Sequence, residues 1–117
     1  MLENTYTLEN GIKIPKLGLG TWFIDDSKVA EAVREAVKIG YRMMDTAQAY
    51  GNERGVGEGV RTCGIPREDL FVVSKVAAEH KTYEQAMAGI DETLKKDGTV
   101  LSGFLPLFCI LNFQLKI

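Results

Sequence analysis

The feature that most constrains the fold is a short apolar run followed by an amphipathic helical segment, a pattern that occurs three times along the chain. The apolar runs are residues 16–22, 41–45 and 70–73, and the helical segments are residues 25–40, 52–61 and 82–96. Repeated strand–helix units form a parallel sheet with right-handed crossovers. An eight-stranded barrel and an open doubly wound sheet both begin in this way. Three units cannot close a barrel, because a complete one takes roughly 250 residues.

The ends of the helical segments carry recognisable capping residues. Asp25, Asp26 and Ser27 are candidate N-caps of the first segment, and Gly40 predicts a left-handed cap at its end. In the last segment, Thr82 predicts a capping box, because a glutamine follows three residues later.

Glycines mark two other places in the chain. Residues 5–15 alternate around Asn10–Gly11, which predicts a β-hairpin because Asn-Gly supplies the positive φ angles of a tight turn. Pro15 ends this hairpin, since proline cannot donate to a further ladder. The second helix contains glycines at positions 55, 57 and 59, and each costs roughly 1 kcal/mol relative to alanine. They either let the helix approach the sheet closely or reflect chance composition.

Composition limits the classes of function. The chain has 117 residues, enough for one domain with a real core. Hydrophobic residues make up 45% of it, an ordinary share for a globular protein. The formal net charge is −2 and no basic stripe is present, which argues against nucleic-acid binding. Cys63 and Cys109 lack metal-ligand spacing, so we expect neither a metal site nor a disulfide framework. The first residues lack the pattern of a signal peptide, so we expect a cytoplasmic protein.

The last part of the chain differs from the rest. Residues 101–117 are mostly apolar and hold no acidic residue. A membrane-spanning helix needs about 20 apolar residues. This run is shorter and includes Pro106, Asn112 and Gln114, so we expect no membrane anchor. A fourth strand or a disordered apolar end is favoured. We therefore divide the chain into a strand–helix portion, residues 1–98, and a divergent apolar tail, residues 99–117.

Three chemically distinctive side chains are expected at one edge of the sheet. Asp45 and Lys75 end apolar strands, and Tyr50 lies in the loop after the first of them. Sites in parallel α/β folds gather at the carboxyl ends of strands. A phenol has a pKa near 10, and a nearby ammonium favours the phenolate and lowers that pKa. A carboxylate could hold the ammonium in place, so the three residues together predict proton transfer by a tuned tyrosine.

A purely structural interpretation of these residues stays open at this point. An aspartate at a strand end often caps the next turn, a lysine there often ends the strand in solvent, and Tyr50 could simply pack. His80 is the single histidine of the chain and lies in the loop after the third strand. We interpret it as a solvated loop residue, although it could face the same edge.

Several motifs resemble those of the aldo-keto reductases. Residues 40–57, GYRMMDTAQAYGNERGVG, are similar to the first signature of this family. One position departs from it, because Met43 stands where the family usually has a histidine, a serine or another small residue. The hairpin leading into residues 17–22, LGLGTW, and the stretch of residues 64–75, GIPREDLFVVSK, are also typical. The resemblance covers residues 5 to about 98.

The resemblance implies a fold and an activity. The fold is a (β/α)8 TIM barrel closed at the bottom by the N-terminal hairpin, present here in part as the hairpin and about three strand–helix units. The activity is the reduction of aldehydes or ketones to alcohols by hydride from NADPH, with NADH not excluded. Tyr50 then resembles the general acid, Lys75 lowers its pKa, and Asp45 pairs with Lys75.

The same resemblance implies a cofactor segment. Gly20, Thr21 and Trp22 are similar to the first-strand residues beside the nicotinamide, with Trp22 also lining the substrate pocket. Asp45 lies near the nicotinamide ribose in such sites. A small carbonyl compound is the implied substrate.

The tail departs from the family pattern. Members of the family continue with a fourth strand that ends in a histidine, which orients the substrate carbonyl, whereas residues 101–117 contain none. A second hypothesis is therefore an inactive fragment, truncated or frameshifted near Asp97. Because an open sheet edge and an apolar tail promote association, we also expect self-association through that edge.

Overall fold

The computed structural model describes residues 4–77, 82–96 and 107–111, the last of these and Lys96 by their backbone alone. The strands are β1 (Thr5–Thr7), β2 (Lys13–Pro15), β3 (Leu19–Gly20), β4 (Met43–Asp45), β5 (Phe71–Val76) and β6 (Leu107–Leu111), and the helices are α1 (Asp26–Ile39), α2 (Glu53–Thr62) and α3 (Tyr83–Lys96). Short 3₁₀ turns occupy Gln48–Tyr50 and Arg67–Asp69. His80 and the end expected for α3 at Gly98 lie outside the described residues.

The N-terminal hairpin is confirmed, but its turn differs from the predicted one. β1 and β2 pair antiparallel, with Thr7 opposite Lys13. Gly11 has a φ of 82°, and its amide donates to the Leu8 carbonyl at 2.9 Å. Asn10 does not adopt a positive φ, so the expectation was wrong for that residue. The loop has three residues with a left-handed glycine at its end, a geometry that asks for positive φ at one position only.

The main sheet has the strand order β3-β4-β5-β6, and every pairing in it is parallel. Strands adjacent in sequence are adjacent in space, as in a barrel, whereas the order of a doubly wound sheet reverses at a switch point. Within the tail, β6 lies beside β5 with Val72 opposite Leu107, which confirms the fourth strand. The division of the chain at residue 98 stays a prediction.

The core lies between one face of the sheet and the first two helices. It is formed by apolar side chains with little or no exposure: Val29, Val33, Val37, Met44, Val56, Val60, Leu70 and Val72. β5 is buried on both faces, as its continuous apolar run predicts. It extends to Val76, beyond the predicted end, and Lys75 is therefore its penultimate residue.

Helices α1 and α2 pack closely because of glycines in α2. A methyl group added to Gly59 would lie 2.6 Å from Val33 Cβ and 2.9 Å from the Ala30 carbonyl oxygen. A methyl group at Gly55 would collide with the Asp26 carbonyl and the Val29 side chain. For Gly55 and Gly59, the close approach is therefore to helix α1 and not to the sheet. These glycines face helix α1, which no periodicity within α2 could reveal.

Of the expected cap residues, Gly40 and Asp25 lie at the ends of α1, whereas Asp26 binds α2. Gly40 ends α1 with a φ of 116°, as predicted, and Asp25 is the N-cap by position without a capping side-chain hydrogen bond. Asp26 instead reaches α2, where its Oδ1 accepts the Gly55 amide at 2.8 Å and its Oδ2 accepts Arg54 Nε at 2.7 Å. Burial raises the pKa of Asp26, but the hydrogen bonds from Arg54 and Gly55 outweigh it and hold that pKa below its ordinary value.

None of the helices among the described residues is long and apolar enough to cross a membrane. The described residues also contain no cluster of histidine, cysteine or acidic side chains able to hold a metal ion. The capping box of α3 is confirmed, since the Gln85 amide donates to Thr82 Oγ1 at 3.1 Å and the Thr82 amide to Gln85 Oε1 at 3.3 Å.

Candidate active site

The alternation of side chains along the strands separates two sets of residues at the carboxyl ends of β4 and β5. Asp45 pairs in register with Val73, and Lys75 lies two residues further along the same strand. Asp45 and Lys75 therefore project from one face of the sheet, because side chains at i and i+2 share a face. Ser74 projects from the opposite face, where the helices pack.

An ion pair joins the two charged residues, as the strand ends predict. Lys75 Nζ lies 2.6 Å from Asp45 Oδ1 and also donates to the Thr46 carbonyl at 3.2 Å. The Lys75 side chain is 22% exposed and that of Asp45 is 36% exposed. The pair is thus half-buried and still reachable from outside, which suits groups that act on a bound molecule.

Tyr50 joins this pair from the 3₁₀ turn after β4. The turn ends at Gly51, which has a φ of 68°. The Lys75 ammonium lies over the Tyr50 ring, 5.3 Å from its centroid. This is within the range of a cation–π contact. The structure therefore brings Asp45, Tyr50 and Lys75 into one cluster, although 30 residues separate the two charged partners along the chain.

The predicted cofactor segment lies beside the same cluster. The Thr21 amide and hydroxyl both donate to the Asp45 carbonyl, at 3.1 and 2.9 Å, and Thr21 is fully buried. Trp22 is 66% exposed, and its ring is stacked with that of Tyr50, with the two centroids 6.4 Å apart. A methyl group at Gly20 would meet nothing within 4 Å. Gly20 and Trp22 thus border open space next to the ion pair.

Phe23 is a neighbour that sequence reasoning missed. It is 85% exposed, stacks on Trp22 with centroids 4.4 Å apart, and has a φ of 65°. A bulky residue with positive φ is an outlier and costs of order 1–3 kcal/mol. The sequence offers no sign of this, because a phenylalanine does not mark a left-handed position as glycine or asparagine does.

Asn52 is a second residue whose role was missed. Its side chain is fully buried; Nδ2 donates to the Thr21 carbonyl at 2.8 Å and to the Ile24 carbonyl at 3.0 Å. Its Oδ1 accepts the Thr46 hydroxyl at 2.7 Å. Asn52 therefore ties the segment after β3 to the end of β4. Its place at the start of a helical segment gave no sign of this role, because a buried amide that joins two distant segments cannot be read from spacing.

Comparisons with known proteins agree with this architecture. The sequence model of the aldo/keto reductase family matches residues 16–100. A 9,11-endoperoxide prostaglandin H2 reductase from Trypanosoma cruzi is 45% identical over 91 residues, which are 77% of this chain and 32% of that protein. A glyoxal reductase from Bacillus subtilis is 42% identical over 96 residues, 81% of this chain and 35% of that protein. The chain thus spans about a third of the length of these relatives.

Solved structures extend the agreement to the fold. An aldo/keto reductase from Brucella melitensis superposes with a TM-score of 0.79 at 44% identity, covering 82% of this chain and 37% of that one. The Bombyx mori aldo-keto reductase in complex with NADP has a TM-score of 0.76 at 31% identity, covering 84% of this chain and 35% of that one. The fold is therefore a partial (β/α)8 barrel. Since the family match covers most of its residues, the chain belongs to the aldo/keto reductase family.

Proposed function

We propose that Asp45, Tyr50 and Lys75 form the proton-transfer group of a reductase that converts aldehydes or ketones to alcohols with NADPH. Membership of the family supports an oxidoreductase acting on carbonyl compounds in general. The finer assignment depends on one observation: the Lys75 ammonium is held by Asp45 at 2.6 Å and lies over the Tyr50 ring.

The open part of the site suits a flat ring with an attached sugar. The space above Gly20, the exposed face of Trp22 and the partly exposed Asp45 carboxylate lie side by side. A planar aromatic ring can stack on such a side chain, and a carboxylate can accept hydrogen bonds from sugar hydroxyls. These residues fit the nicotinamide end of the cofactor. NADPH is preferred because the Bombyx mori relative is in complex with NADP.

Each residue of the cluster has a defined task in this proposal. The reduced nicotinamide, when bound, supplies the hydride for the carbonyl carbon. The Tyr50 hydroxyl donates its proton to the carbonyl oxygen as that oxygen gains negative charge. The Lys75 ammonium stabilises the phenolate that Tyr50 becomes, because opposite charges attract strongly in a half-buried site. Asp45 holds Lys75 in position, and the phenolate regains its proton from water.

Binding of the cofactor can be measured separately from turnover. Trp22 is the single tryptophan of the chain, so quenching of its fluorescence during an NADPH titration reports on the site itself. Reduction of a small aldehyde is then followed by the loss of NADPH absorbance. We expect saturable quenching by the parent chain. Asp45→Asn should weaken it, because the ribose would lose the carboxylate acceptor.

Tyr50→Phe tests the assignment of the general acid. We expect this change to lower kcat by about 10²–10⁴-fold, the usual contribution of a positioned acid, while the quenching persists. Tyr41→Phe is the matched control, because Tyr41 lies before β4 at the opposite end of the sheet. Turnover by Tyr50→Phe equal to that of the parent would refute the assignment.

The chain spans about a third of its relatives, so the reaction itself is a proposal for this chain. The alternative is an inactive fragment of such an enzyme. Saturable NADPH binding without turnover of any aldehyde would favour this alternative, and turnover abolished by Tyr50→Phe would exclude it.

A further inference from the structure

The side chain of Gln48 connects the turn that carries Tyr50 to two other elements. Its Oε1 accepts the Ala77 amide at 2.9 Å, just past the end of β5. Its Nε2 donates to the Gly89 carbonyl at 2.6 Å and to Thr93 Oγ1 at 3.0 Å, both in α3. Gln48 thus uses both ends of its amide to join the turn to the strand of Lys75 and to the helix behind it.

Buried polar groups continue this connection back to β5. The Thr93 hydroxyl donates to Glu53 Oε1 at 2.8 Å, and the Ser74 hydroxyl donates to the same oxygen. Thr93, Glu53 and Ser74 are 1%, 2% and 0% exposed. Ser74 directly precedes Lys75. A continuous chain of hydrogen bonds therefore runs from the residue that begins the Tyr50 turn to the neighbour of Lys75, in a buried setting where each bond is costly to break.

The backbone of the turn does not provide this connection itself. The Tyr50 amide donates to the Ala47 carbonyl at 3.0 Å, and the Gly51 amide donates to the Gln48 carbonyl at 3.2 Å. Both bonds shape the turn internally, and the backbone bond to β5 that precedes the turn, from the Thr46 amide to the Val73 carbonyl at 2.7 Å, holds the end of β4 and not the turn itself. Tyr50 lies two residues after Gln48, and Ala77 lies two residues after Lys75. The Gln48–Ala77 bond therefore joins the segment that carries Tyr50 to the segment that carries Lys75.

We propose that Gln48 is a positioning residue that sets the Tyr50 ring against the Lys75 ammonium. Its importance for catalysis rests on the proposed function, whereas its effect on geometry does not. Losing the three hydrogen bonds of Gln48 should let the turn move away from β5 and carry the phenol with it.

The test uses an NMR signal that reports the geometry directly. A proton over an aromatic ring resonates upfield, so the ε-methylene protons of Lys75 should be displaced upfield by the Tyr50 ring. Tyr50→Leu in the full chain defines the complete loss of this displacement. Gln48→Met keeps the length of the side chain and removes all of its hydrogen bonds, and we expect it to lose more than half of the displacement.

A matched control separates positioning from general stability. Gln85→Met makes the same change in the first turn of α3, where Gln85 belongs to the capping box with Thr82. We expect this variant to melt earlier and to keep the Lys75 displacement. A folded Gln48→Met variant with the parent displacement would overturn the proposal, as would a parent chain whose displacement equals that of Tyr50→Leu.

If Gln48→Met does not fold, hydrogen exchange of the parent chain tests whether Gln48 holds the turn against β5. The Ala77 amide of the parent chain should then be protected nearly as well as the β5 amides, because Gln48 Oε1 holds it. Exchange at the rate of an unfolded chain would overturn the proposal. Neither readout requires turnover. Tyr50→Phe keeps the ring and its effect on Lys75, so failure of the proposed function and failure of the positioning role are distinguishable.

Discussion

Replacing Gly59 with alanine tests whether close helix packing or helix propensity dominates in α2. Gly59 is buried against α1, and an added methyl carbon would lie 2.6 Å from Val33 Cβ, 3.0 Å from Val33 Cγ1 and 2.9 Å from the Ala30 carbonyl oxygen. Carbon atoms pack at about 3.5–4.0 Å. The two helices would therefore have to separate by about 1 Å. Rotation of a side chain cannot relieve the contact, because Val33 Cβ and the Ala30 oxygen are fixed by the backbone.

Two opposing effects set the change in the free energy of unfolding that Gly59→Ala causes. Alanine in a helix interior gains about 1 kcal/mol over glycine. Overpacking a core costs about 1–3 kcal/mol, and a gap of up to 1 Å forfeits a quarter to a half of the dispersion energy of each contact it opens. The contacts concerned include Val33, which is completely buried in the core cluster. Because the clashing atoms cannot move aside, the upper part of this overpacking cost applies, and subtracting the gain in helix propensity leaves an expected fall in the free energy of unfolding of about 1–2 kcal/mol.

Urea unfolding followed by circular dichroism and by Trp22 fluorescence measures this change. The urea midpoint should fall without a change in slope, and the melting temperature should drop by roughly 4 °C per kcal/mol. Gly20→Ala is the matched control for stability, because a methyl group there meets nothing within 4 Å. If Gly59→Ala is as stable as the parent or more so, helix propensity outweighs the contact and the packing argument is refuted.

Other changes test the remaining parts of the fold. The pKa of Asp26 is lowered in the folded state, so its stabilising contribution is present above the unfolded-state pKa near 4 and is lost as the pH falls through the folded-state value. Asp26→Asn should flatten acid unfolding in that range, and an unchanged acid profile would contradict the pairing with Arg54. Thr82→Ala removes the cap of α3 and should cost about 1 kcal/mol in urea unfolding, whereas no change would show that the cap is not formed in solution. Asn52→Leu removes the hydrogen bonds of Asn52 to the Thr21 and Ile24 carbonyls and leaves the Thr46 hydroxyl without its acceptor. This should cost about 2–5 kcal/mol, and a cost below about 1 kcal/mol would contradict the buried network.

Local sequence patterns predicted the elements well wherever their cause was local. Gly40 ends α1 and Thr82 caps α3 as expected, because a cap depends on a few neighbouring residues. The prediction for Asn10 was wrong, since the turn type depends on the register of the two strands as well as on the residues in it. The lengths of the strands were also misjudged: β3 has two residues and β5 continues through Val76.

The sequence could place the charged residues of the candidate site, but not the residues that hold them in position. Asp45 and Lys75 could be placed at one edge because parallel strands deliver their carboxyl ends together. Gln48 and Asn52 gave no such indication. Each is an amide with partners 28 to 45 residues away, besides the nearby Thr46 in the case of Asn52, and no pattern within one element reports on partners so distant.

The sequence by itself therefore determined the order of strands and helices, the parallel character of the sheet and the edge at which Asp45 and Lys75 emerge. These follow from hydrophobic periodicity and strand direction, which are properties of short segments. Only the tertiary structure decided that Gly55 and Gly59 of α2 face α1, that Asp26 binds α2 instead of capping its own helix, and that Gln48 ties the Tyr50 turn to β5. The physical reason is that these contacts arise from the relative placement of packed elements, where a few tenths of an ångström separate a hydrogen bond or a close contact from none.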